Sequence, residues 1–258
     1  MTLKIKLLQG LSNLIYYLLI KTNIYKPRGI RVLCYHDIKA NNTHVDDIFT
    51  VTIDNFRQQL QYLFDNHYTV ISIPDFWEII TKNKDYPPKT VMLTFDDGFQ
   101  SVYNVVSPFL KQYNYPATVF ITSQFIDKNT QYLSRTQLEA LAKNPLITIG
   151  SHGVSHLNLV NLSLDEARKE IANSKNILEE ITNLSIEAFA YPYGFYNRIT
   201  QRLLTENNFL LAFTTRFGFN YNKSNNFSLK RITIFKFDTI SSFEKKLLGA
   251  YNWRGLWL

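Results

Sequence analysis

The sequence predicts an α/β fold, a (β/α) barrel of about seven parallel strands, and two observations predict it. After residue 29, short apolar runs alternate with amphipathic segments, the pattern of parallel strands joined by crossover helices. The polar clusters able to carry chemistry all follow apolar runs, and barrel enzymes keep their reactive groups at the carboxyl ends of strands.

Taken in order, the run "RVLCY" at 31–35 leads into His36 and Asp37, and a helical pattern at about 54–66 precedes a strand at 69–73. A helix at about 74–83 is followed by the run 89–95, which ends in Asp96, Asp97 and Gly98. Next come a helix at 99–113 and a strand at 117–122, then a helix at 134–143 opened by the capping residue Ser134. The strand at 146–150 runs into His152 and His156. Ser163 caps a helix over 163–182, and the strand at 186–190 ends in "YPYG". A helix at 196–207, strands at 210–214 and 229–234 and a helix at 239–249 complete the chain. Four reactive clusters behind four separate strands are hard to obtain from surface decoration. No repeat or long linker divides residues 29–258, which read as a single domain.

Composition excludes several classes. With 45% hydrophobic and 19% charged residues the chain is an ordered globular protein, not a disordered or fibrous one. The net charge of +7 comes from dispersed Lys and Arg with no block of five or six, so no nucleic-acid partner is expected. The single cysteine, Cys34, excludes an intramolecular disulfide framework and reads as a small buried residue. Residues 1–28 are set apart: Leu3, Leu7, Leu11, Leu14, Ile15 and Leu18 recur at helical spacing behind early lysines. The uninterrupted apolar part, 14–20, is far shorter than the ~20 residues of a membrane span. An amphipathic helix in peripheral contact with a membrane through residues 1–21 is the expectation, and packing on the domain is the alternative.

Chemistry enters with "VMLTFDDG" and "GSHGVSH". Adjacent carboxylates at a strand end raise the cost of ionising each other unless a cation intervenes. His152 and His156, four apart, fall on one face of a helical turn roughly 6 Å from each other and can share a divalent ion. Asp96 or Asp97 completes a His, His, Asp set with open positions, and the other carboxylate is left as general base.

Three ordered stretches, "TFDDG" at 94–98, "SHGVSH" at 151–156 and "YPYG" at 191–194, resemble the signature motifs of the polysaccharide deacetylase family, carbohydrate esterase family 4. "CYHDI" at 34–38 is similar to the branch containing poly-β-1,6-N-acetylglucosamine N-deacetylases. The resemblance implies a distorted (β/α) barrel of the polysaccharide-deacetylase type. It implies that Asp96 is the general base, that Asp97, His152 and His156 hold a divalent metal, and that the backbone N–H of Tyr193 stabilises the oxyanion. Zinc is the metal expected, with nickel, cobalt or iron as alternatives. The implied reaction removes N-acetyl groups from the sugars of a polysaccharide or a lipid-linked envelope glycan, at the bacterial cell envelope or a membrane surface, the cytoplasmic face included. Its rivals are an O-acetyl esterase and an inactive carbohydrate-binding homologue.

The sequence departs from the family pattern twice. Ala190 stands where many members carry an Arg two residues before the motif's Pro; Arg231 in "LKRITI" could supply that charge, or form a structural salt bridge. No histidine lies near the C-terminal strands, where typical members keep a general acid. His36, matching the early "YH", is nominated to protonate the leaving amine; the alternative is a histidine hydrogen-bonded inside the barrel mouth, with Asp37 beside it simply orienting the ring. His44 and His67 read as solvated. Tyr191, Tyr193 and Phe195 form an aromatic lip for a sugar ring, or ordinary loop packing; the terminal "WRGLWL" docks on a membrane or closes the barrel floor.

Overall fold

A computed structural model describes residue 10, residues 13–21, 28–41, 47–252 and residue 255, and ten short strands organise these described residues. They are β1 (Arg31–Tyr35), β2 (Ile38–Lys39), β3 (Val51–Thr52), β4 (Thr69–Val70), β5 (Thr90–Phe95), β6 (Ala117–Ile121), β7 (Ile147–Ser151), β8 (Ala188–Ala190), β9 (Leu211–Phe213) and β10 (Ile232–Thr233). Seven of them form a parallel path in the order β10-β1-β5-β6-β7-β8-β9, with β4 alongside the start of β5. The helices are α1 (Ile53–Asp65), α2 (Ile73–Lys82), α3 (Ser107–Tyr113), α4 (Arg135–Ala142), α5 (Leu164–Thr182), α6 (Arg198–Glu206) and α7 (Ile240–Leu247). The expected α/β barrel of about seven parallel strands is therefore present, curled and incompletely closed. β2 and β3 form a separate two-stranded sheet that the sequence reading did not contain.

The distortion has a local cause at the seam between β9 and β10. The expected strand 229–234 shortens to Ile232–Thr233 because its first residues turn from β1 toward β9. Leu229 bridges to Phe213 alone, and Arg231 N–H donates to Arg216 O at 3.0 Å. The expected helix at 99–113 also starts late, since Phe99 pairs with Tyr132 and Gln100 N–H donates to Gln131 O before the chain can coil.

Strand alternation divides the apolar side chains into two cores. Leu33, Tyr35, Leu93, Phe95, Val119, Ile121, Ile147, Ile149 and Phe189 face the outer helices. Val32, Met92, Phe120, Ala188, Ala190 and Phe213 point into the barrel, where α2 joins them through Phe76, Ile79 and Ile80. α2 thus plugs the floor of the barrel, and burial on both faces is why β1, β5 and β6 read as unbroken apolar runs. Continued past the strand ends, the same period of two aims His36, Asp96 and His152 inward at the open mouth.

Gly150 makes this lumen possible. A Cβ there would stand 2.5 Å from Cδ1 of Phe120 and 3.0 Å from Ala188 O. Gly150→Ala is expected to destabilise the fold by about 1–3 kcal/mol, read as a lower urea midpoint; an unchanged midpoint would show that the ring moves aside freely.

At the N-terminus, Tyr16–Lys21 forms a π-helical turn, with Leu14, Tyr17 and Leu18 exposed and the Tyr16 hydroxyl donating to Glu244 at 3.2 Å. Leu3, Leu7, Leu11, His44 and residues 253–254 and 256–258 lie outside the described residues. Among the described residues no helix is long and apolar enough to cross a membrane.

Candidate active site

The mouth is assembled from strand ends held in register. Asp96 N–H continues the β1–β5 ladder to Tyr35 O at 2.9 Å, and His152 N–H continues the β6–β7 ladder to Ile121 O at 2.8 Å. Beyond the strands the backbone turns sharply. Asp97 (φ 71°) and Gly98 (82°), Gly153 (80°) and His156 (58°), and Tyr193 (61°) and Gly194 (80°) are all left-handed. For a non-glycine residue that conformation costs about 1–2 kcal/mol, and such strain gathers at functional sites.

Asp97, His152 and His156 converge. Asp97 Oδ1 lies 3.5 Å from His152 Nε2 and 3.3 Å from His156 Nε2. His152 Nδ1 sits 2.7 Å from Ala190 O. A carbonyl only accepts, so Nδ1 carries the proton and Nε2 turns a bare lone pair toward Asp97. Burial keeps both rings neutral, pulling His152 down to about 3 and lowering His156 as well. Asp97 Oδ1 accordingly has no hydrogen-bond partner although it is buried. Burial, with Asp96 beside it, raises the Asp97 carboxyl to about 6. The Asp97 Oδ1 and His152 Nε2 lone pairs repel one another at this range. Donors about 2.0–2.1 Å from one tetrahedral ion stand about 3.4 Å apart, so the three residues fit a divalent metal.

Asp96 has a different environment. Burial alone would raise its carboxyl, but the Arg231 guanidinium, with His152, holds it well below the usual carboxylate range. Arg231 Nη1 and Nη2 donate to Asp96 Oδ1 and Oδ2, each at 2.7 Å, while Nε donates to Thr214 O at 2.9 Å and Nη1 to Thr94 Oγ1 at 3.3 Å. The fork is fully buried in the lumen over the Phe120 ring, for which Gly150 leaves space. A cation therefore reaches Asp96 from the edge of β10, where Ala190 cannot provide one.

His36 opens on the same mouth, its ring 4.7 Å from that of Phe49 and its buried Nδ1 without a partner. One of its nitrogens, Cys34 Sγ and an Asp96 oxygen lie within 4.8 Å of each other. Asp37 does not orient that ring: its carboxylate accepts from Ser101 Oγ at 2.7 Å and pairs with Lys39 at 3.0 Å. His67 is exposed at the end of α1, as expected.

The aromatic lip needs one correction. Tyr193 and Phe195 are 57% and 56% exposed, and the Tyr193 ring packs edge-on at 4.7 Å from His156. Tyr191 is fully buried, stacked on Tyr196, with its hydroxyl donating to Phe227 O at 3.1 Å. Strand period explains it: Tyr191 shares the outward face of Phe189, which belongs to the helix-side core. It cannot touch a sugar.

A family model described as polysaccharide deacetylase matches residues 83–211. The chain belongs to the polysaccharide deacetylase family. The match contains Asp96, Asp97, His152 and His156, and leaves His36 and Arg231 outside it. Among relatives of the chain, the poly-beta-1,6-N-acetyl-D-glucosamine N-deacetylase of Staphylococcus epidermidis is 25% identical over 233 residues, covering 81% of this chain and 80% of that one. The structure of the Streptococcus pyogenes deacetylase PplD in complex with acetate is 28% identical, with a TM-score of 0.77 over 86% of this chain and 99% of that one. IcaB from Ammonifex degensii, at 24% identity, shares the fold with a TM-score of 0.77, over 88% and 98% of the two chains.

Sequence reasoning passed over Glu170, whose carboxylate accepts hydrogen bonds from the His152–His156 loop. The available signal was a Glu within the stripe Ala167, Glu170, Ile171, Ser174 and Leu178 that α5 buries.

Proposed function

We propose that this member of the polysaccharide deacetylase family is a metal-dependent hydrolase that removes N-acetyl groups from N-acetylated sugars of a polysaccharide or envelope glycan. The observation that carries the reading is the convergence of the Nε2 atoms of two neutral histidines on Asp97 Oδ1, a buried carboxylate oxygen with no hydrogen-bond partner. Zinc bound by these residues would polarise a carbonyl and acidify the attacking water. Asp96, kept ionised and aimed by Arg231, takes up the proton that water loses. The backbone N–H of Tyr193 donates to the developing oxyanion, and His36 returns a proton to the leaving amine. Tyr193 and Phe195 flank the sugar, and acetate and a free amine are the products. An amide rather than an ester substrate is supported by the relative named for poly-β-1,6-N-acetylglucosamine.

The test is acetate release from β-1,6-linked N-acetylglucosamine oligomers, lost on chelation and restored by zinc, with acetylated xylan in parallel. Release from xylan alone would favour an O-acetyl esterase, and a metal-free, inert protein would defeat the reading. His36→Ala is expected to lower kcat by about 10²–10⁴-fold with zinc binding retained; full turnover would remove His36 from the mechanism.

A further inference from the structure

The segment carrying both histidines leaves β7 at Ser151 and does not become helical until Leu159. Its hold on the metal-ligating geometry comes from neighbouring elements. On one side, Ser123 N–H donates to Gly153 O at 3.1 Å and Gln124 N–H to Val154 O at 2.9 Å. On the other, a single side chain from α5 takes the loop's amides. Glu170 Oε2 accepts from the consecutive N–H groups of Val154 and Ser155, both at 2.9 Å, and Oε1 accepts from Ser155 Oγ at 2.9 Å. Glu170 is only 8% exposed. Successive amides beyond a left-handed residue form a concave anion cradle, and here the anion is the protein's own carboxylate. Gly153 is fitted to it, with φ of +80° and an imagined Cβ only 3.2 Å from Glu170 Oε2.

We infer that Glu170 is a positioning residue for the metal site: by clamping the Val154 and Ser155 amides it fixes His156 relative to His152. The inference rests on the metal-site reading above. His152 is anchored through β7 and through Ala190 O. His156 lies one residue past the clamp in a left-handed turn, so its position follows from the clamped amides. Removing the carboxylate leaves two part-buried donors unpaired and releases the loop on that side. Groups that orient ligands in this way typically change metal affinity about 10–100-fold when removed.

Glu170→Ala and Glu170→Gln in the full chain test this. The readouts are the zinc dissociation constant by chelator competition, and amide hydrogen exchange at Val154 and Ser155 in the zinc-free protein. Glu170→Ala is expected to bind zinc about 10–100-fold more weakly and to lose protection at those two amides while β7 keeps its own. Glu170→Gln retains a carbonyl able to accept both N–H groups and should stay within about threefold of the parent. A folded Glu170→Ala with parental zinc affinity, or a Glu170→Gln as impaired as Glu170→Ala, overturns the inference. Should Glu170→Ala fail to fold, the shorter Glu170→Asp takes its place with the same outcomes. A parent chain that binds no zinc would refute the metal reading instead, and the exchange data would still decide whether the clamp exists.

Discussion

Arg231→Met is expected to cost about 3–5 kcal/mol of folding free energy, because it abandons a fully buried carboxylate. Asp96 has both oxygens in the Arg231 fork at 2.7 Å, and neither residue reaches solvent appreciably. Asp96→Asn should cost about as much from the other side, leaving a buried guanidinium without its counter-charge. The two losses share a cause, so Arg231→Met combined with Asp96→Asn should be less destabilised than the sum of the singles by about 2 kcal/mol or more. Urea denaturation of the four zinc-free proteins measures that coupling, and simple additivity would contradict the pairing. The pH dependence has a definite sign. The folded Asp96 carboxyl lies below its unfolded value because Arg231 and His152 outweigh burial. Its stabilising contribution is thus present above the ordinary carboxylate pKa and is lost only as pH falls far below it. Arg231→Met removes that contribution across the neutral range, and turnover falls with it because the proposed base loses its aim.

The legible and illegible parts of this molecule differ in how far apart in the chain their partners stand. Asp96 and Asp97, His152 and His156 announce themselves because spacing and residue type travel together within each motif, and strand ends place both motifs at one mouth. Arg231 could be named only as a candidate cation: its fork with Asp96 joins residues 135 positions apart and depends on β10 returning beside β1, which no local pattern encodes. Asp37 sits next to His36 in sequence yet points to Ser101 and Lys39, since neighbours in an extended chain face opposite ways. Tyr191 fails for the same reason: it lies inside a motif whose neighbours face the mouth, but its parity sends it to the outer core. α2 shows a further limit. An amphipathic helix buries one stripe whether it flanks a sheet or plugs a barrel, and tertiary contacts such as Phe76 against Phe213 distinguish the cases.

Asp97→Asn is expected to make the zinc-free protein more stable while abolishing its activity. Burial, with Asp96 adjacent, lifts the Asp97 carboxyl from 3.8 to about 6. A folded state that binds its proton more tightly than the unfolded chain loses stability as pH rises between those two values. Two units correspond to about 3 kcal/mol, withdrawn between pH 4 and 6 and absent from there upward unless a cation arrives. Asparagine keeps the shape and carries no charge to desolvate, so zinc-free Asp97→Asn should exceed the parent by about 2–3 kcal/mol at pH 8 and match it near pH 3. Excess zinc should reverse the order, stabilising the parent through binding and the variant hardly at all. Acetate release by the variant should fall to about 1% or less, since a neutral amide oxygen is a poor ligand in a site built for a carboxylate. Parent and variant equal at pH 8 without zinc would mean that Asp97 is not held as an uncompensated charge. On the proposed metal reading, the stability that the buried Asp97 charge withdraws from the metal-free state is returned on binding the ion, so the two effects should change together in Asp97→Asn.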